Sequence, residues 1–106
     1  MARPPVLGEE ALGAAMAAPD APAWEVVDGR LVTSVTSASF PAALDFVMAV
    51  GRLAEEADHH PDIDIRWRTV HLALVTHDAG GLTELDLSLA RAIDRLRPEV
   101  VTDDYN

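Results

Sequence analysis

A chain of 106 residues, 49% of them apolar, is long enough for one domain with one core. Its net charge of -10 and lack of cysteine exclude disulfide scaffolds and thiolate-zinc sites, and argue against direct binding to phosphate backbones or anionic membranes. No stretch approaches the roughly 18 apolar residues of a membrane span, Glu9 and Glu10 interrupt any signal-peptide pattern, and a reducing, cytoplasmic setting is expected.

Between Pro4-Pro5 and the Pro19–Pro22 segment lies LGEEALGAAMAA, rich in helix formers. A helix is predicted from about Glu9 to Ala18, weakened by Gly13. In WEVVDGRLVTSV, Asp28-Gly29 is a strong type I′ turn signal between two β-prone runs, which predicts a hairpin of Trp24–Val27 and Arg30–Thr36. A second helix is expected with Ser39 as N-cap and Pro41 in its first turn. Phe40, Leu44, Val47, Met48 and Ala54 recur at helical spacing and predict its buried face. Pro61 disfavours helical geometry at His60, so this helix should stop near Asp58.

Further on, Ile63, Ile65 and Trp67 alternate with Asp64, Arg66 and Arg68, the period of a strand. Val70–Val75 reads as a more apolar strand, reached through a turn at Arg68-Thr69. After the Gly80-Gly81 loop, Thr83 and Asp86 have the spacing of a capping pair. They open a last helix with Leu85, Leu89, Ala92 and Leu96 as its apolar stripe and Arg91, Arg95 and Arg97 toward its C-terminus. The order is α-β-β-α-β-β-α. It predicts an α+β fold, a four-stranded antiparallel sheet with three helices packed on one face. The whole of 1–106 is expected to be a single domain, with about 8 loose residues at each end. The sheet edges favour edge-to-edge or helix-mediated dimerisation.

All four histidines, His59, His60, His71 and His77, fall within residues 59–77. His59 and His60 precede Pro61 at a helix end, and His77 ends a strand, so imidazoles from two elements can meet at one rim of the sheet. Glu55 is four residues before His59 and would orient it if the helix extends that far. Imidazole offers acid and base forms near neutrality, so a reaction that only moves protons could run on these side chains. The structural alternatives are a polar helix stop for His59-His60, a strand-face role for His71, a solvated Glu55, a cap for Asp86 and a core position for Trp67. The histidine spacing matches no familiar metal motif. Gly80-Gly81 lacks the lysine and helix-opening pattern of a phosphate loop, and no Ser-His-Asp arrangement can be argued.

The spaced pattern E-x3-H-H-P-x5-W-x9-H-x8-D, formed by Glu55, His59, His60, Pro61, Trp67, His77 and Asp86, resembles the signature of the pterin-4a-carbinolamine dehydratases. THDAGGLTELDLSLA, Thr76 to Ala90, resembles the same family's THxxxGLTxxDxxLA segment. The resemblance runs from about Trp24 to about Leu96. It implies the same α-β-β-α-β-β-α fold, dimers that sometimes pair into tetramers, and no metal or other cofactor, the pterin being the substrate. The implied reaction dehydrates 4a-hydroxytetrahydropterin to quinonoid dihydropterin, which links the chain to an aromatic amino-acid hydroxylase. By position, His59, His60 and His77 would be catalytic, with His59 and His77 as acids and His60 as a binding or base residue. Asp58, Thr76 and Asp78 would join them in substrate binding. Glu55, Pro61, Trp67 and Asp86 would support, Glu55 behind His59 and Asp86 on the His77 side. Ile63 stands where the family often has a bulky aromatic, which puts packing near the pocket in question. The alternatives are a non-catalytic pterin-binding or dimerisation module, as in animal relatives that serve a homeodomain transcription factor, and a pterin or folate enzyme of another reaction type.

Overall fold

The computed structural model describes residues 4–97. Helix α1 spans Glu9–Ala17, strand β1 Glu25–Val27, β2 Arg30–Thr36, helix α2 Phe40–Ala57, β3 Asp62–Arg66, β4 Thr69–Leu74 and α3 Glu84–Asp94. A short 3-10 turn, His77–Ala79, lies between β4 and α3. The order matches the sequence expectation. All strand pairs are antiparallel, in the order β1-β2-β4-β3.

The hairpin β1–β2 turns at Asp28 and Gly29, both with positive φ (51° and 77°), as a type I′ turn requires. On β2 and β4, Leu31, Val35, Val70, Leu72 and Leu74 point to one face and are buried. They meet Ala43, Phe46, Val50 and Ala54 of α2 and Leu87, Leu89, Ala90 and Ile93 of α3. The period-two rows of the central strands thus form one side of the core and the helical stripes the other. The opposite face of the sheet carries Val32, Ser34, His71 and Ala73, with an Arg30–Asp62 ion pair at 3.1 Å.

Several expectations need correction. The buried face of α2 is rotated from the predicted one. Ala54 is buried as expected and Val47 packs partly against the core, but Ala43, Phe46 and Val50 also go inward, whereas Phe40, Leu44 and Met48 are 45%, 40% and 56% exposed. Both stripes are apolar with helical period, so periodicity by itself does not choose between them; the sheet does. The α3 face similarly centres on Leu87, Leu89, Ala90 and Ile93, with Leu85, Ala92 and Leu96 partly buried at its border. Strand β3 ends at Arg66, one residue before Trp67. The hairpin register pairs Arg66 with Thr69, so Trp67 and Arg68 form the turn, and Trp67 has φ of 55°. Its indole is 62% exposed, with the Arg68 guanidinium 4.6 Å above the ring, rather than in the core. Leu7 N donates to the Leu82 carbonyl at 2.8 Å, and a Cβ on Gly81 would meet Val6 at 3.0 Å. The C-terminal residues expected to be loose lie outside the described residues.

One structural tie had no signal in the sequence. Asp94 at the end of α3 accepts from the Trp24 indole Nε1 (2.8 Å) and from Ala23 N (2.7 Å). Arg97 bonds both Asp94 and Thr33, at 3.0 and 2.6 Å. This clamps the last helix to the start of the sheet.

Candidate active site

The site is built where α2 ends. Ala57 is its last helical residue, and Asp58 follows in the left-handed conformation (φ 52°, ψ 43°). Asp58 N donates to Glu55 O at 3.2 Å and His59 N to Ala54 O at 3.1 Å, the paired bonds of a Schellman motif. That reversal sends consecutive histidines in opposite directions, and Pro61 then leads into β3.

His59 turns inward and is 6% exposed. Its Nε2 lies 2.6 Å from Asp86 Oδ1. Asp86 is fully buried in the first turn of α3. Its other oxygen, Oδ2, accepts from Thr83 N (2.9 Å) and from the Thr76 hydroxyl (2.8 Å). Thr83 Oγ1 lies 2.8 Å from Thr76 Oγ1 and accepts from Leu85 N at 3.1 Å. Since the Thr76 proton goes to Asp86, Thr83 must donate to Thr76, which orders the chain Thr83 to Thr76 to Asp86. The capping pair expected at Thr83 and Asp86 is present. The same carboxylate also orients His59: a neutral ring that donates from Nε2 keeps its lone pair on Nδ1.

His60 turns outward, and its Nε2 lies 2.9 Å from Glu55 Oε1. Two expected pairings are therefore exchanged. Glu55 orients His60 rather than His59, because the helix ends before His59 can share its face. Asp86 holds His59 rather than His77, because the buried N-terminus of α3 faces the end of α2.

His77 arrives from the far end of β4. Thr76 O accepts from Ala79 N (3.1 Å) and Gly80 N (3.0 Å), and Gly80 takes φ of 86°, so the chain closes into a tight loop. The loop leaves His77 and Asp78 exposed. Asp58, His59, His60, Val75, His77 and Asp78 line one cleft of about 210 Å³. Imidazoles from a helix end and a strand end thus face a common space.

Other sequence candidates fall elsewhere. The Thr76 side chain, 1% exposed, belongs to the buried Asp86 network and not to the cleft lining. Pro61 also lies outside that lining. Trp67 is at the opposite end of β3, roughly 20 Å from His60 at strand spacing, so it does not support the site within one chain. Ile63 pairs with Leu72 on the edge strand and is not a cleft residue. Val75 was missed; its place in an apolar strand run carries no signal of a cleft. His71 stays apart, its Nδ1 2.7 Å from Ser34 Oγ on the uncovered face of the sheet.

Residues 5–96 match the family Pterin 4 alpha carbinolamine dehydratase. The chain belongs to that family. A Mycolicibacterium smegmatis protein that carries the provisional name pterin-4-alpha-carbinolamine dehydratase is 50% identical over 91 residues, covering 86% of this chain and 95% of that one. The crystal structure of a transcriptional coactivator/pterin dehydratase from Brucella melitensis superposes with a TM-score of 0.79 at 28% identity, over 88% of this chain and 99% of that one. A pterin dehydratase-like protein described as a RuBisCO assembly factor in the alpha-carboxysome shares the fold at a TM-score of 0.58 and 22% identity, over 72% of this chain and 88% of that one. The fold therefore serves more than one role, and the argument for activity has to come from the site. Among the described residues no helix is long and apolar enough to cross a membrane.

Proposed function

We propose that this family member dehydrates a pterin 4a-carbinolamine by histidine acid-base chemistry. The carrying observation is the single cleft shared by His59, His60 and His77, two of whose rings are held by carboxylates at 2.6 and 2.9 Å. In the substrate, C4a bears a hydroxyl and N5 bears a proton. A protonated imidazole gives its proton to the hydroxyl, the C4a–O bond breaks and water leaves. A second group takes the N5 proton, and the N5 electron pair forms the C4a=N5 bond of the quinonoid dihydropterin. One of His59 and His77, in its protonated form, is assigned to the hydroxyl, and His60 to ring binding or the N5 proton. Asp86 sets which His59 nitrogen is presented, and Asp58 and Asp78 offer acceptors for the pterin's N–H groups.

Positioned proton transfer of this kind contributes about 10²–10⁴ in rate. The product is a substrate for reduction back to the tetrahydropterin, which fits a cytoplasmic role beside an aromatic amino-acid hydroxylase. The exposed stripe Phe40, Leu44 and Met48 supports self-association of α2 into a homodimer or homotetramer. The activity test is stopped-flow decay of 4a-hydroxytetrahydropterin. Acceleration that disappears in the double variant His59→Ala/His77→Ala supports the reading, and no acceleration by the intact protein overturns it.

A further inference from the structure

We propose that Thr76 and Thr83 are positioning residues for the reaction, whose hydroxyls hold Asp86 so that His59 presents one fixed nitrogen to the cleft. This inference rests on the dehydratase reading and names two groups that act without touching substrate. Both residues lie outside the cleft lining, and both are buried, at 1% and 0% exposure.

The terminal torsion of an aspartate is broad and roughly two-fold, so a lone His59–Asp86 bond would fix neither the carboxylate plane nor the ring plane. Here the other oxygen is filled. Oδ2 accepts from Thr83 N at 2.9 Å and from the Thr76 hydroxyl at 2.8 Å, and a carboxylate oxygen has two lone pairs. Oδ1 is therefore the oxygen left for His59 Nε2, at 2.6 Å. The Thr76 hydroxyl is held in turn, because Thr83 donates to it at 2.8 Å. Thr83 Oγ1 is anchored as the acceptor of Leu85 N at 3.1 Å, so the chain of hydroxyls ends on the backbone of α3.

Thr76 has a second tie to the site. It precedes His77, and its carbonyl accepts from Ala79 N and Gly80 N at 3.1 and 3.0 Å, closing the loop that carries His77. One residue thus connects both histidines, His59 through its hydroxyl and Asp86, and His77 through its backbone. Placement matters here because proton transfer needs the ring nitrogen within hydrogen-bond reach of the moving proton.

The test compares Thr76→Val with Thr76→Ser. Valine keeps the side-chain shape, removes the hydroxyl and leaves the Leu85 N cap on Thr83 in place. It should lower kcat about tenfold to a hundredfold, the scale of a small misplacement of a catalytic group, with KM within about twofold. Thr76→Ser should restore most of that loss. Nitrogen-15 NMR of the histidine rings supplies a readout that a merely structural role would not move. In the intact protein, neutral His59 should be one tautomer with its proton on Nε2. In Thr76→Val, and to a smaller degree in Thr83→Val, it should become a mixture of tautomers. A His59 spectrum indifferent to Thr76→Val, or a kcat loss that serine fails to restore, overturns this inference alone. Should Thr76→Val not fold, the spectrum of the intact protein decides: a single Nε2–H tautomer supports the inference, and an Nδ1–H form or a mixture overturns it. An intact protein inactive toward 4a-hydroxytetrahydropterin overturns the dehydratase reading instead.

Discussion

His59 and Asp86 are 27 residues apart in the chain and 2.6 Å apart in the structure, both buried. Asp86 also caps α3 through Thr83 N and binds the Thr76 hydroxyl. One carboxylate thus joins the end of α2, the end of β4 and the start of α3, so the site and the fold depend on the same group.

Removing that carboxylate should lower both stability and turnover. Asp86→Ala leaves three donors without their acceptor inside the protein and is expected to cost about 3–5 kcal/mol. Asp86→Asn keeps the shape and should cost about 1–3 kcal/mol. Urea unfolding followed by circular dichroism measures both. A wild-type midpoint for Asp86→Ala would mean that the network contributes no net stability.

His77 lies on the exposed loop, so its replacement separates chemistry from folding. His77→Ala should lower kcat by about 10²–10⁴-fold while unfolding within about 0.5 kcal/mol of wild type. His71→Ala, on the uncovered sheet face, should change kcat less than twofold (roughly the scatter of a surface substitution). Equal losses in the two variants would show that the cleft is not where the reaction occurs.

Glu55 and His60 form an exposed pair, with side chains 82% and 56% accessible. Such a pair adds little stability, about 0–1 kcal/mol, so Glu55→Gln should unfold like wild type. Its effect should appear as a raised KM with kcat nearly unchanged if His60 mainly binds the ring. A fall in kcat with constant KM would instead assign His60 to the N5 proton.

Asp58 occupies a left-handed position usually given to glycine. Asp58→Gly should therefore keep the turn, yet turn over substrate more slowly, because the cleft loses a carboxylate. Chemical denaturation and steady-state kinetics on one preparation check both. A variant that is clearly less stable would show that the Asp58 side chain holds the turn.

The α2 stripe predicts assembly. Leu44→Glu should lower the mass measured by light scattering to that of a smaller species, while Glu56→Lys on the same helix should not. A wild-type chain that is already monomeric at micromolar concentration would sink the self-association proposal.

Much of this protein could be read from local chemistry. Asp28-Gly29 specified a turn because few other pairs accept positive φ twice in succession. Ser39 with Pro41, and Thr83 with Asp86, marked helix starts because free N–H groups there need acceptors. The alternation of Ile63 and Ile65 with Asp64 and Arg66 marked one strand, and the apolar run Val70–Val75 marked another. Where the signals were non-local or duplicated, only the tertiary structure decided. Two apolar stripes on α2 compete for the core, and contact with the sheet selects the one through Phe46 and Val50. The turn at Trp67 lacks the residues that announce a turn, and strand register alone moves it one position. The partners of Glu55 and Asp86 depend on where α2 stops and which way Asp58 turns the chain, and a left-handed aspartate leaves no periodic trace. Spacing could state that the histidines belong together; three-dimensional packing determined which carboxylate holds each, because hydrogen bonds are set by distance in space and not along the chain.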